Sequence, residues 1–302
     1  MKKNESSMTA LISSFSRAYH VENDDPKIFS DTLARQLMTD DEYKQISGYM
    51  AGGIDFFAPD KKEELATPEE SLKWVVQTQL APTPLARARY CEDALENAIR
   101  IGASQYVILG AGMDTFAYRN PEILSSIHVF EVDHPNTQKF KKQRVEQAGW
   151  TIPENLHYVP MDFSTDDLAT ELKKAGFDNR KLTFFSWLGV SYYLTKEQID
   201  AMLKTIASLV PQGSSIVFDY ADEYLFSSDV KRVQNMVAMA NASGEPMKSS
   251  FSYPELEKSL ENAGLLIYEH LSSDDIEQRF FSNRDDALHA FEHISYALAV
   301  VR

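Results

Sequence analysis

The residues best suited to chemistry in this chain lie in QYVILGAGMDTFAYR at 105–119, where a short apolar run closes in Gly110-Ala111-Gly112 and gives way to Asp114 and Thr115. A glycine turn at the end of a buried strand lets a ligand lie against bare backbone. It also opens a helix whose first amides point at that ligand. An acid about 20 positions on, at the end of a second strand, then reaches ribose hydroxyls. IHVFEVDHP at 127–135 supplies that strand, with Glu131 and Asp133 near its end. Alternate strand residues share a face, so either acid could serve. The pattern calls for a nucleotide-like cofactor.

The dinucleotide fingerprint would place a third glycine at 115, where this chain has Thr115. That glycine serves close helix–strand packing around a pyrophosphate. Its absence fits a cofactor without one, such as S-adenosylmethionine, better than NAD. The turn also comes only after more than a hundred residues, which suits a methyltransferase with an N-terminal cover better than an NAD-dependent oxidoreductase.

A hydrolase is the rival from another class. Gly189-Val190-Ser191 follows a strand candidate, and Asp219 and His270 come later in hydrolase order. The nucleophile elbow wants glycine on both sides of its serine, and Tyr193 takes the second place here. His289 and His293 stand four apart on an expected helix, which is metal-ligand spacing. With no third ligand placed beside them they read as a surface pair, and no metal is expected.

The elements that must hold these residues are legible in their punctuation. Thr67-Pro68-Glu69-Glu70 and Thr83-Pro84 read as helix starts, and Gly102 as the stop of the second helix. Strand candidates fall at 105–109, 127–132, 156–160, 182–187 and 215–220, separated by helical stretches; Thr195 with Gln198 caps the clearest of them. Ser252-Tyr253-Pro254-Glu255 starts one more helix, stopped by Gly264, and strands at 265–270 and 294–301 finish the chain. Apolar strands alternating with helices predict a parallel sheet covered on both faces. The late pair makes it an α/β, Rossmann-like methyltransferase sheet of seven mostly parallel strands with an antiparallel C-terminal pair. We read 1–302 as one methyltransferase domain, with a helical cover over 1–104, a core over 105–302 and a helical lid over about 222–250.

Charge and composition narrow the partners. The 302 residues carry 30 Lys plus Arg against 45 Asp plus Glu, a formal net charge of -15, which opposes phosphate backbones and anionic lipid. KFKKQR at 139–144 then reads as a solvated helix face, and no nucleic-acid partner is expected. No apolar stretch approaches the ~18 residues of a membrane span. The first twenty residues read as an amphipathic helix rather than a signal peptide. Cys91 is the single cysteine, so no intrachain disulfide can form and a reducing cytoplasm is expected.

ARARYCED (86–93), LGAGMDTFAYR (109–119), FEVDHPNTQKFKK (130–142), VPMDF (159–163) and WLGVSYYL (187–194) occur in this order and spacing. Together they resemble the leucine carboxyl methyltransferase family, which includes S-adenosylmethionine-dependent O-methyltransferases acting on polyketide acids. The opening SRAYHVENDDPKIFSDTLARQL is similar too, and the resemblance spans most of 15–220. It implies direct methyl transfer to a carboxylate or hydroxyl of a small molecule or peptide, releasing S-adenosylhomocysteine. It also implies that Arg87, with Arg89 as the alternative, pairs with the cofactor's methionine carboxylate, and that Gly110 and Gly112 lie against the cofactor. Asp133 would bind the ribose, with Glu131 as the alternative, and Asp162 and Phe163 the adenine. An ionised carboxylate acceptor needs no general base, so no catalytic residue is assigned. One departure is Leu188, where many members carry an acid that faces the cofactor; Trp187 beside it could pack on the adenosine or belong to the core. A protein that binds S-adenosylmethionine without transferring it is the remaining alternative.

Overall fold

The structure, a computed structural model, describes residues 8–242 and 244–302. Residues 1–7 of the expected N-terminal helix lie outside them; the remainder forms the helix Met8–Asn23. The strands are β1 (Gln105–Leu109), β2 (His128–Asp133), β3 (Leu156–Pro160), β4 (Thr183–Trp187), β5 (Ser215–Ala221), β6 (Leu265–Leu271) and β7 (Ile294–Val301). They form one seven-stranded sheet in the order β3-β2-β1-β4-β5-β7-β6. The first five run parallel, and β7 is antiparallel to both β5 and β6.

Period-two alternation splits each strand between two apolar cores. Tyr106 and Ile108 pack on one face of β1, Val107 and Leu109 on the other, and all of β1 is buried. Helices therefore cover both faces, as uniformly apolar parallel strands require. Strand order reverses between β1 and β4, so the connections leaving these two strands diverge and open a crevice at their C-terminal ends. The glycine turn stands at that crevice.

Helix punctuation works largely as read. Thr67 with Glu70, Thr195 with Gln198 and Ser252 with Glu255 each form reciprocal capping boxes, and Gly264 ends its helix in the left-handed region at φ 87°. Thr83 is different. The helix carrying Arg87 runs Pro82–Arg100 and begins directly after a wide π turn at Val76–Leu80, without a side-chain cap. In a regular helix the Thr78 carbonyl would take the N–H of residue 82, but Pro82 has none. Arg232, from the helix Lys231–Ala242, donates to that carbonyl at 3.2 Å instead, and to the Ala290 carbonyl and Glu292 as well. Asn235 adds a bond to the Phe57 carbonyl at 3.0 Å. The long segment between β5 and β6 is thus moored to the N-terminal helices. The expected helix around His289 and His293 does not form. His289 lies against Arg232, and His293, at φ 64°, bonds Asp222 and Ser228.

Two buried polar groups lock the elements that frame the crevice. His20 is fully buried; its Nε2 accepts from the Ile28 N–H at 2.8 Å, so Nδ1 carries the proton and donates to Asp24 at 2.7 Å. Gln77 bridges Asp24 and the Ala287 N–H, joining the Met8–Asn23 helix to the π turn and to the approach of β7. Under β2, Lys141 of the helix Pro135–Gln147 donates to Glu131 at 2.5 Å with both side chains buried. Burial pushes the Glu131 carboxyl up from its ordinary 4.5 to about 7 against the pull of Lys141.

His20→Ala removes one of the donors to the buried Asp24 carboxylate, leaving it Gln77, and takes the partner of the Ile28 N–H. It should cost about 2–4 kcal/mol in urea unfolding, and an unchanged midpoint would count against the lock. Glu131 makes a second test. The folded chain binds its proton more tightly than the unfolded chain, so this carboxyl favours folding below pH 4.5, and the contribution drains away as pH rises toward 7. Glu131→Gln should be less stable overall, since Lys141 loses its partner, yet it should lack that downward slope between those pH values. An identical slope in both proteins would refute the assignment.

Candidate functional site

A cavity of about 470 Å³ occupies the crevice. Its floor is the turn after β1 and the loop after β4. Its walls are the Met8–Asn23 helix, the start of the Pro82–Arg100 helix and residues 244–248. Gly110 and Gly112 line it with φ of 74° and 50°. A Cβ on Gly110 would stand 2.8 Å from Val190 Cγ2, and one on Gly112 3.2 Å from Ala10 Cβ. Only glycine keeps this backbone open.

Asp133 reaches the cavity from the end of β2. One carboxylate oxygen accepts from the Gly112 N–H at 2.5 Å and the other from the His134 N–H at 2.6 Å. A carboxylate offers about four lone-pair positions, so these bonds fix its orientation and leave two for paired hydroxyl donors. Burial raises its pKa, opposed by the two backbone donors. Glu131, the sequence's alternative, is sequestered with Lys141 beneath the sheet end and does not line the cavity.

Arg87 lines the opposite end, and Arg89 does not: it pairs with Asp93 on the exposed face of its helix. The Arg87 guanidinium donates through one nitrogen to Asp219 at 3.0 Å and to the Tyr192 hydroxyl at 3.1 Å. The second carboxylate oxygen of Asp219 takes the Gly189 N–H at 2.7 Å. Gly189 adopts φ 73°, and a Cβ there would sit 2.5 Å from the guanidinium. Burial disfavours the Arg87 charge, but Asp219 and Tyr192 outweigh it and raise the pKa. Part of the fork remains open to the cavity.

Asp162 and Phe163 are not brought into the lining. Asp162 accepts from the N–H and hydroxyl of Ser164, which pull its pKa down, and its side chain is 41% exposed. The helix that follows is capped by Asp167 instead. Asp162 does stand 3.9 Å from His134, the neighbour of Asp133. Leu188 lines the cavity, whereas Trp187 points to the other core and is fully buried.

Sequence reading missed a second polar layer. Asp31 accepts from Arg17 at 2.8 Å and from the Thr115 hydroxyl at 2.6 Å, with Arg119 at 3.4 Å. Burial opposes its charge, yet the two arginines hold its pKa below the ordinary carboxylate value. Arg17 also donates to the Met113 carbonyl at 2.8 Å. Thr115, the residue standing where a third glycine would be, thus ties the turn to the N-terminal cover. Partners 84 positions apart leave no local signal. The hydrolase triad is not assembled: Ser191 donates to the Asp219 carbonyl, His270 bonds the Tyr220 hydroxyl at 2.7 Å, and the Asp219 carboxylate is spent on Arg87. Among the described residues no group of three or more His, Cys, Asp or Glu is placed to hold a metal ion, and no helix is long and apolar enough to cross a membrane.

The cavity fits S-adenosylmethionine on its own geometry: a side-chain-free cradle, a carboxylate with two open acceptor positions, and a half-free guanidinium fork at the far end. Comparison with known proteins agrees. The model of the leucine carboxyl methyltransferase family matches residues 10–207. YktD of Bacillus subtilis (strain 168), which bears the name of an S-adenosyl-L-methionine-dependent methyltransferase, is 56% identical over 303 residues, 99% of each chain. A Mycolicibacterium smegmatis protein named for the same activity is 31% identical over 214 residues, 70% of this chain and 65% of that one. The crystal structure of a DUF574 family protein from Streptomyces avermitilis has a TM-score of 0.61 at 15% identity, covering 99% of both chains, which is a likeness of fold. The NAD reading and the non-catalytic reading give way to these findings: the chain belongs to the leucine carboxyl methyltransferase family and is an S-adenosylmethionine-dependent methyltransferase.

Proposed function

We propose that the enzyme methylates a carboxylate oxygen of a small molecule or peptide. The observation that carries this reading is that the cavity's carboxylates, the groups that could serve as a base, are already engaged. Asp31 holds two arginines and Thr115, Asp114 the Phe116 N–H, Asp133 two backbone amides, and Glu245 the Thr9 hydroxyl. Burial pushes the Tyr193 phenol up to about 12, with Arg87 pulling it down and Glu245 up. An acceptor here does best to arrive ionised, as a carboxylate does at neutral pH.

In this reading Arg87 offers the open arm of its fork to the methionine carboxylate, where a planar guanidinium suits a planar anion. Gly110 and Gly112 let the cofactor lie on backbone, Asp133 takes the two ribose hydroxyls, and the adenine lies toward Asp162 and Phe163. When bound, the cofactor supplies a methyl on cationic sulfur; an acceptor oxygen takes it with its own electron pair, leaving a neutral thioether. The chain contributes alignment and exclusion of water. Residues 222–250 act as a lid over a single domain, with 244–248 on the cavity and the Lys231–Ala242 helix as mooring. A hydroxyl acceptor is the second reading, and it would need a base. The buried lone Cys91 suits a reducing cytoplasm, and the charge of -15 a partner other than nucleic acid.

Asp133→Asn should weaken S-adenosylmethionine binding in calorimetry by roughly 10- to 100-fold, the loss of charge-assisted hydrogen bonds. Because the ionised form is the acceptor and burial raises its pKa, wild-type affinity should fall as pH drops through that raised value. The asparagine variant should lack this fall. To test the acceptor, the enzyme is incubated with tritiated-methyl cofactor and a deproteinised small-molecule extract. Label released by alkali as methanol marks methyl esters and is the expected result; only alkali-stable label would sink the carboxylate reading.

A further inference from the structure

We infer that Lys248 and Tyr193 together hold the acceptor's carboxylate, forming an anion subsite separate from the Arg87 fork; this rests on the carboxylate reading above. Four cations line the cavity. Arg17 spends its three nitrogens on Asp31, Ser13 and the Met113 carbonyl. Arg119 spends its three on Thr115 and Glu92. Arg87 is half committed to Asp219 and Tyr192, and its free arm is taken by the cofactor in the reading above. Lys248 is the remaining one, and its ammonium has no hydrogen bond or ion pair among the described residues.

The backbone places Lys248 next to the donor that completes the site. Its N–H donates to the Tyr192 carbonyl at 2.7 Å, which fastens residue 248 beside the Tyr192–Tyr193 pair. The Tyr193 ring packs edge-on against Tyr192 at 4.8 Å and lines the cavity, and its hydroxyl likewise has no partner among the described residues. With the phenol's pKa far above neutrality, that hydroxyl stays a donor at working pH. Glu245, the nearest acid along the segment, is occupied by the Thr9 hydroxyl on the opposite wall at 3.2 Å. An ammonium and a protonated phenol lining the same cavity, on residues that the Lys248–Tyr192 backbone bond draws together, suit one carboxylate, holding one oxygen and leaving the other to react. The methyl ester has no charge for Lys248 to hold, so product binds more weakly than substrate.

The test uses the full chain with benzoate, phenylacetate and decanoate as acceptor probes, reading alkali-released methanol from tritiated-methyl cofactor. Lys248→Met should raise KM for the acids by ~10–100-fold while kcat changes far less, as expected for a lost charge-assisted bond to substrate. Cofactor affinity in calorimetry should stay at the wild-type value, which also reports an intact fold. Lys248→Arg should recover most of the loss, and Tyr193→Phe should raise KM by a smaller, ~3–10-fold factor. If wild type methylates the acids and Lys248→Met leaves KM unchanged, the subsite is wrong and the carboxylate reading stands. If wild type forms alkali-labile product with none of them, while the extract gives only alkali-stable label, both fall together.

Discussion

One buried carboxylate holds the site's framework together. Asp219 on β5 has no exposure to water, yet it carries Arg87 on one oxygen and the Gly189 amide on the other. A buried charge of this kind tolerates no missing partner, since stranding either side costs more than the pair contributes. The helix before β1, the loop after β4 and the strand β5 are therefore fixed relative to one another by a single side chain. The left-handed Gly189 follows from it, because any Cβ would displace the guanidinium. The loop's course past the cavity, with Leu188, Val190 and Tyr193 on the wall, follows in turn.

Much of the fold was legible because its signals are local. Apolar runs marked all seven strands to within a residue or so, and the capping boxes at Thr67, Thr195 and Ser252 were read from side chains three positions apart. Thr83 misled because its Thr-Pro pair has the composition of a helix start, while a π turn fed Pro82 directly into the first turn. His289 and His293 misled for a related reason. Their spacing suggests a helix, but Arg232 and Asp222 claim them individually and the backbone goes elsewhere.

The site divides along the same line. Gly110 and Gly112 directly follow β1, Asp133 ends β2 and Arg87 lies in the helix that leads into β1, and the structure gathers all four around one cavity. It also separates Arg87 from Arg89 and Asp133 from Glu131, which a helical face and an alternating strand had left open. The Asp31 layer was invisible, since its arginines and threonine come from the cover and the turn with no shared motif. Asp162 and Phe163 lie on a loop outside the cavity lining, where Asp162 is turned to its own neighbour Ser164.

Pro82 has a reach out of proportion to its size. By withholding one N–H it leaves the Thr78 carbonyl in search of a donor, and Arg232 answers from more than a hundred and fifty positions away. The defect in one helix is thus the mortise for another, and the strap at 244–248 hangs from that joint. A residue able to donate at 82 would compete for that carbonyl and leave Arg232 to its bonds with Ala290 and Glu292. The span of chain over the cavity is thus held from both sides, by that joint and by the Lys248 N–H on the Tyr192 carbonyl.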